Sequence, residues 1–168
     1  MNRIYLSLGS NLNDRLVNID EAISLLSEKI TLGKISSVYE TEPQDMVSDN
    51  RFLNMVICGK TSLSPNELLD FICAIETKMG RTRTDKSKYL DRIIDIDILF
   101  FNDIVVEDLN LTIPHKRLHE RLFVLAPMAE IAPSFLHPVF GKKIDVLRRN
   151  IESNALKVDK FSEVTSSV

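Results

Sequence analysis

The sequence predicts an α+β fold in which helices pack on a mixed or antiparallel sheet. Segments with the periodicity of strands and helices follow one another in the order strand, helix, strand, strand, helix, strand. The last strand of this series is the most regular, because apolar residues alternate with Asp95 and Asp97 between residues 92 and 101. This βαββαβ order is typical of a ferredoxin-like core.

Each element of the series has a local signal. Gly9 opens a turn-forming set that ends the first strand, Asp14 or Asn13 can cap the first helix, and Ser64 with Glu67 has the spacing of a capping box. The predicted strands are Ile4–Leu8, Ile35–Glu40, Phe52–Lys60, Arg92–Phe101 and a short Ile104–Val106, which should form a hairpin through a turn at Asn102-Asp103. The predicted helices are Leu16–Ile30, Ser64–Met79, Leu122–Glu130 and Ile144–Arg149, and residues 42–50 are predicted as a loop.

Composition narrows the class of protein. With 168 residues and 44% hydrophobic content, we expect one domain over residues 1–168, in which residues 151–168 form a polar tail without an assigned function. A formal net charge of −3 argues against a general nucleic-acid binder. Cys58 and Cys73 lie in apolar segments without C-x-x-C spacing, so we expect reduced thiols in a cytoplasmic protein. We predict neither a signal peptide nor a membrane span.

The two aspartates are the strongest functional signal. Residues two apart on a strand point to the same face with α-carbons about 6.6 Å apart, so Asp95 and Asp97 can share one cation or a pair of cations. Magnesium prefers oxygen ligands and is often held by one or two carboxylates together with substrate phosphates. The structural alternative is a solvated outer face of an edge strand.

Basic residues lie next to this acidic pair. Those that precede it are Arg81, Arg83, Lys86, Lys88 and Arg92, and residues 114–121 form a second segment rich in donors. Each segment alone is more simply explained as a solvated loop. Beside two carboxylates, however, such cations favour binding of phosphate plus metal. The sequence contains neither a P-loop motif nor a dinucleotide-binding glycine motif.

Several motifs together resemble one enzyme family. They are Leu8-Gly9-Ser10-Asn11, Tyr39-Glu40-Thr41-Glu42-Pro43, Phe52-Leu53-Asn54, Glu76 ahead of Gly80-Arg81-Thr82-Arg83, the run Arg92–Leu99, Ile113-Pro114-His115 and Arg121–Pro127. In this combination, from about Ile4 to Pro138, the chain closely resembles the 6-hydroxymethyl-7,8-dihydropterin pyrophosphokinases of folate biosynthesis. The resemblance implies a ferredoxin-like core and transfer of pyrophosphate from MgATP to the pterin hydroxymethyl group, with release of AMP.

The same resemblance implies roles for individual residues. Asp95 and Asp97 would hold two magnesium ions, and Arg81 and Arg92 would neutralise charge during transfer. The residues implied around the nucleotide are Glu76, Arg83, Lys88, Ile98, Thr112, His115, Lys116 and Arg121. Those implied around the pterin are Thr41, Glu42, Pro43, Phe52, Asn54, Asp95 and Phe123, with Phe123 stacked on the ring and Asn54 reading its hydrogen-bonding edge.

The sequence departs from the family pattern at a few positions. Leu90-Asp91 stand before Arg92, where relatives usually carry a small residue followed by Pro, Ser or Ala. Lys116 replaces a frequent tyrosine, and Lys86, Lys88 or Tyr89 can supply the loop's phosphate contacts.

Two other functions fit parts of the pattern. Paired aspartates also serve nucleotidyl and γ-phosphoryl transferases, and ferredoxin-like sheets also occur in RNA-binding modules. RNA-reading sheets of that kind place stacking aromatics on the central strands, whereas here the aspartates occupy such a face. We therefore expect a monomer that binds ATP and the pterin but neither nucleic acid nor membrane.

Overall fold

The fold is built around a six-stranded sheet. The structure is a computed structural model that describes residues 1–44, 48–81, 91–152 and 158–162. The strands are β1 (Asn2–Ser10), β2 (Thr31–Ile35), β3 (Val38–Thr41), β4 (Phe52–Thr61), β5 (Asp95–Phe101) and β8 (Val158–Ser162), while β6 (Val106–Glu107) pairs with β7 (Thr112–Ile113) in a separate ribbon. The helices are α1 (Arg15–Leu26), α2 (Pro65–Lys78), α3 (Leu122–Ile131) and α4 (Ile144–Glu152), with a 3₁₀ turn at Leu118–Glu120.

The order of strands across the sheet is β5-β1-β4-β3-β8, and β2 also pairs with β4. Every strand pairing among the described residues is antiparallel. The first part of the chain follows the predicted order except that two strands, β2 and β3, stand where one strand is predicted. The aspartate strand lies beside β1. The predicted α+β class is confirmed.

Helices cover both faces of the sheet. Alternating residues of β1, such as Ile4 and Leu6, pack with α1 and α2 in one core. Tyr5 points the other way and packs with Phe100, α3 and α4 in a second core. Ile96 and Ile98 of β5 lie in the first core, as the alternation predicts. Asp95 and Asp97, which alternate with these isoleucines, therefore face the same side of the sheet as α3.

The helix starts agree with their sequence signals. Asp14 caps α1 by accepting a hydrogen bond from the Val17 N–H at 3.2 Å. Ser64 and Glu67 form the predicted capping box, and Pro65 occupies the first position of α2. Helix α1 ends before the predicted Ile30, whose N–H donates to the Leu26 carbonyl as the chain turns towards β2.

The predicted strand Ile35–Glu40 is wrong in its extent, because two strands meet there. The extended strand is interrupted at Ser36 and Ser37. There the Ser36 hydroxyl accepts a hydrogen bond from the Val56 N–H at 2.9 Å. A side chain thus replaces a main-chain acceptor at the junction between β2 and β3.

The predicted hairpin after the aspartate strand is also wrong. Asn102 does adopt a left-handed turn conformation, with φ of 50°. Its amide oxygen accepts from the Arg3 N–H at 2.8 Å, and its own N–H donates to the Arg3 carbonyl at 2.7 Å. Asn102 is therefore tied to β1, and the chain continues to β6, which pairs with β7 instead of β5.

The polar tail contains a strand that the sequence does not reveal. Residues 158–162 form β8, which pairs with β3 and covers that edge of the sheet. Lys160 lies 3.8 Å from Glu130 of α3, and Arg15 lies over the ring of Phe161. None of the described helices has the length and apolarity needed to cross a membrane.

Candidate active site

A pocket of about 620 Å³ opens on the α3 side of the sheet, where β5, β1 and β4 lie side by side. Asp97 stands opposite Ser7, Asp95 stands opposite Gly9, and Gly9 stands opposite Asn54 of β4. The remaining lining residues come from the end of β3 and the residues after it, from the start of β4, from the residues before β5 and from the start of α3. Among the residues that the structure describes, the lining consists of Ser7, Gly9, Thr41, Glu42, Gln44, Phe52, Asn54, Arg92, Asp95, Asp97, Arg121 and Phe123.

Gly9 allows a close approach between neighbouring strands at the base of the pocket. A Cβ atom at this position would lie 3.1 Å from Oδ1 of Asn54, which is closer than ordinary van der Waals contact. The absence of a side chain keeps open the space between Asn54 and Asp95.

Two arginines bind Asp95 through different oxygens. Arg81 Nη1 lies 2.9 Å from Oδ1, and Arg92 Nη1 lies 2.9 Å from Oδ2. Both cations are partly exposed, so they remain accessible to an anionic ligand. Both carboxylate oxygens of Asp95 are thus paired with arginines, the two that the sequence predicts to be catalytic.

Glu76 lies beneath this cluster with only 4% of its side chain exposed. Its Oε1 accepts a hydrogen bond from the Ile96 N–H at 2.9 Å and forms an ion pair with Arg81. Burial raises the pKa of Glu76, and the hydrogen bonds from Ile96 and Arg81 oppose that rise. Glu76 therefore joins the end of α2 to the segment between the two aspartates.

Asp97 lies in an environment that disfavours its charged form. Burial and the neighbouring Asp95 carboxylate raise its pKa to about 7. Nε2 of His115 lies 3.8 Å from Oδ2 of Asp97, and burial with the nearby Arg121 cation lowers the pKa of His115 to about 4. A neutral histidine does not compensate the Asp97 charge, so this carboxylate is suited to an added cation.

Arg121 carries an unsatisfied donor at the pocket. Its buried Nε has no hydrogen-bond partner among the described residues, and its guanidinium lies 5.6 Å from the centre of the Phe123 ring. A buried, charged N–H without an acceptor is costly, which indicates that an anionic ligand completes this site.

The opposite side of the pocket is aromatic and amide-bearing. Asn54 is buried, and its Nδ2 donates to the Thr41 hydroxyl at 2.9 Å, which fixes the orientation of the amide. Phe52 and Phe123 are partly buried beside it. Glu42 at the rim is held by Arg51 at 2.8 Å.

A second cleft of about 460 Å³ contains other predicted nucleotide residues. Thr112, His115 and Lys116 line it together with His137 and Phe140. His115 connects the two clefts, because its other side approaches Asp97.

The structure brings most of the predicted residues to these two clefts. Pro43 lies next to the pocket in sequence without lining it. Ile98 points into the opposite core, so only its main chain is available to a nucleotide. Arg83, Lys86, Lys88 and Tyr89 lie outside the described residues.

Among the described residues that line the first pocket, sequence reasoning missed Ser7, Gly9 and Gln44. In the second cleft it missed His137 and Phe140, among others. Ser7 and Gly9 have a readable signal, because strand alternation from Tyr5 places them on the same face once β1 is paired with the aspartate strand. Gln44 has no such signal, since it lies in a segment without periodicity.

The donor set fits magnesium. The described residues contain no group of three or more His, Cys, Asp or Glu side chains arranged for a metal. Asp95 and Asp97 instead supply two carboxylates at an open pocket, which is the arrangement used when substrate phosphates complete the coordination.

Comparisons with known proteins identify the family of the chain. Residues 5–133 match the family model described as 7,8-dihydro-6-hydroxymethylpterin-pyrophosphokinase. A 2-amino-4-hydroxy-6-hydroxymethyldihydropteridine pyrophosphokinase of Bacillus subtilis is 46% identical over 134 residues, which cover 78% of this chain and 79% of the relative. A protein of the same name from Aquifex aeolicus is 41% identical over 144 residues, covering 86% and 89%.

A solved structure shows the same fold. The HPPK-DHPS of Plasmodium falciparum with pteroate superposes with a TM-score of 0.73 at 20% identity, over 90% of this chain. This chain spans 44% of that longer protein. At such low identity the likeness concerns the fold alone, whereas the sequence matches concern the family. On that evidence, the chain belongs to the 7,8-dihydro-6-hydroxymethylpterin-pyrophosphokinase family.

Proposed function

We propose that this chain transfers pyrophosphate from ATP to the hydroxymethyl group of 6-hydroxymethyl-7,8-dihydropterin, giving AMP and the pterin diphosphate for folate biosynthesis. The observation that carries the proposal is the division of one pocket into two unlike sides. Asp95 and Asp97 lie on β5, with Arg92 paired to Asp95. Asn54 lies two strands away on β4, and Phe123 lines the same pocket from α3.

The aromatic side suits the pterin. A pterin is flat and carries amide-like donors and acceptors, so it needs a stacking surface and a fixed polar partner. Phe123 supplies the surface, and Asn54, oriented by Thr41, supplies the polar edge. Phe52, Glu42 and Pro43 complete this half of the proposed site.

The charged side suits the triphosphate. Transfer of a phosphoryl-type group requires little covalent work from the protein and depends on in-line placement and neutralisation of charge. The contacts of Arg81 and Arg92 with Asp95 support this role, and the unsatisfied Nε of Arg121 offers a third donor. We expect Arg81 and Arg92 to exchange part of their contact with Asp95 for phosphate oxygens when ATP binds.

Asp95 and Asp97 would hold two Mg²⁺ ions in this proposal. When bound, the ions supply neutralising charge to the phosphate oxygens and align the reacting groups. Glu76 keeps the Asp95 segment in place through Ile96 and Arg81.

The second cleft extends the site for the rest of the nucleotide. Thr112, His115 and Lys116 line it, and His115 approaches the aspartates. The main chain of Ile98 lies on the same strand as the aspartates. Arg83 and Lys88 complete the proposed nucleotide set.

Product analysis tests the proposal. The purified chain is incubated with ATP, Mg²⁺ and the pterin, and the nucleotide products are separated. We expect AMP and the pterin diphosphate in equal amounts, and no AMP when the pterin or Mg²⁺ is omitted. ADP would indicate γ-phosphoryl transfer, free pyrophosphate would indicate nucleotidyl transfer, and RNA binding without turnover would indicate a binding module; each outcome contradicts the proposal.

The organisation of the protein is a related proposal. We propose that residues 1–168 act as one domain, because both cores share the six-stranded sheet and β8 of the tail covers one of its edges. We also propose that this domain is a monomer. Since ATP is the donor, we propose a cytoplasmic location. Light scattering tests the monomer, which would be contradicted by a mass near twice 19.1 kDa.

A further inference from the structure

Asp91 collects hydrogen bonds from two distant segments of the chain. Its Oδ1 accepts from Asn11 Nδ2 at 2.7 Å and from Ser48 Oγ at 2.5 Å, and its Oδ2 accepts from Asn50 Nδ2 at 2.7 Å. Asn11 follows β1, whereas Ser48 and Asn50 precede β4. We call these four residues the Asp91 network.

The network continues to the main chain of a predicted catalytic residue. Oδ1 of Asn11 accepts from the Arg92 N–H at 2.7 Å, and the Asn11 N–H donates to the Arg92 carbonyl at 3.1 Å. Asn11 is 2% exposed, so these bonds are shielded from water. Both main-chain polar groups of Arg92 are thus fixed by one buried side chain and its backbone.

The network lies at the junction of the two sides of the pocket. Arg92 extends from it to Asp95 on the charged side. The segment containing Ser48 and Asn50 leads into Phe52 and Asn54 on the pterin side. The Asp91 carboxylate therefore connects the main chain at Arg92 to the segment that leads to the proposed pterin contacts on β4.

We propose that Asp91 is a positioning residue for pyrophosphate transfer, which holds Arg92 against the reacting groups through the Asp91 network. The inference rests on the proposed function and extends it to a residue that lines neither cleft.

The electrostatics agree with a charged acceptor. The hydrogen bonds from Ser48, Asn50 and Asn11 hold the pKa of the Asp91 carboxyl below its ordinary value. Three donors point at the two oxygens of Asp91, so asparagine is a poor substitute. Its amide would place an NH₂ group, itself a donor, where one of those oxygens now accepts.

The role predicts a specific kinetic pattern. Misplacing a catalytic group by about 1 Å can cost on the order of a hundredfold in rate, so Asp91→Ala should lower kcat about tenfold to a hundredfold. The KM values for ATP and pterin should change less than kcat, because Arg92 acts mainly during transfer. Asp91→Asn should resemble Asp91→Ala.

A double-mutant cycle with Arg92 tests whether Asp91 acts through it. We measure AMP formation by wild type, Asp91→Ala, Arg92→Ala and the double variant, with Asp20→Ala, an exposed residue of α1, as the control. The expected result is that Asp91→Ala lowers kcat in the wild-type background and has no further effect beside Arg92→Ala. A general structural role would lower kcat by the same factor in both backgrounds and would overturn the proposal.

Two further outcomes are decisive. A folded Asp91→Ala variant with wild-type kcat overturns the positioning role, whereas a wild type that forms no AMP overturns the proposed function itself. If Asp91→Ala does not fold, Ser48→Ala and Asn50→Ala replace it in the same cycle. Each removes one donor to Asp91, and unchanged kcat in both variants overturns the proposal.

Discussion

Replacement of Glu76 tests the support beneath the active site. In Glu76→Ala, the buried Ile96 N–H loses its acceptor and Arg81 loses one of its two carboxylate partners. An unsatisfied buried donor costs about 1–3 kcal/mol, and breaking a buried ion pair costs about 3–5 kcal/mol. Because Arg81 keeps Asp95 and is partly exposed, we expect the free energy of unfolding to fall by about 4 kcal/mol, the lower end of the summed range.

The assay is thermal and urea unfolding of three variants. For a domain of this size, a loss of 1 kcal/mol lowers Tm by roughly 2–4 °C, so Glu76→Ala should lower Tm by about 8–16 °C. Glu76→Gln keeps an acceptor oxygen and should cost about 1 kcal/mol. Glu21→Ala, an exposed change on α1, should leave Tm unaltered.

The outcome distinguishes support from direct nucleotide contact. If Glu76 supports Arg81, Glu76→Gln should lower kcat more than it raises the KM for ATP. A Tm for Glu76→Ala within about 2 °C of wild type, a change under 1 kcal/mol, would refute the reasoning.

Three other perturbations follow from single contacts. Burial lowers the pKa of His137 to about 4, below the usual 6.5, and its Nδ1 accepts from the Val139 and Phe140 N–H groups. The unfolded state therefore binds more protons than the folded state between pH 6.5 and 4. The contribution of His137 to the free energy of unfolding should be complete above pH 6.5 and fall by up to about 3 kcal/mol towards pH 4. Urea midpoints of wild type and His137→Asn measured across this range test it, and equal slopes of midpoint against pH would contradict it. Gly9→Ala places a methyl group against Asn54 and should weaken pterin binding roughly fivefold to a hundredfold, the equivalent of an overpacking cost of about 1–3 kcal/mol; a fluorescence titration with unchanged affinity would exclude this role. Arg121→Ala removes the unsatisfied donor and should raise the KM for ATP about tenfold, whereas an unchanged KM would exclude the phosphate contact.

Features with local determinants were predictable from the sequence. The capping box of Ser64 and Glu67 depends on residues three apart, and the shared face of Asp95 and Asp97 depends on strand alternation. Both are correct because neither needs information from a distant segment. The family motifs added the residues proposed to bind the pterin, which strand periodicity alone does not identify.

Features that depend on distant partners were not predictable. The interruption between β2 and β3 depends on the contact of Ser36 with Val56 across the sheet. The predicted hairpin after β5 does not form because Asn102 binds Arg3 of β1 instead. Strand β8 is weakly patterned and forms only because the edge of β3 accepts it. The contact between Asn11 and Asp91 joins residues 80 positions apart and has no local signal.

The rate of AMP formation by Asp97→Ala is the most direct test of the central claim, that two carboxylates on one face of β5 organise the transfer. Removing a charge that burial and Asp95 already disfavour should leave the fold intact, so unfolding midpoints should match wild type. We expect AMP formation at saturating Mg²⁺ to fall by about a hundredfold to a thousandfold, the range seen when one preorganised electrostatic group is removed. Near-normal turnover in a folded Asp97→Ala variant would contradict the account.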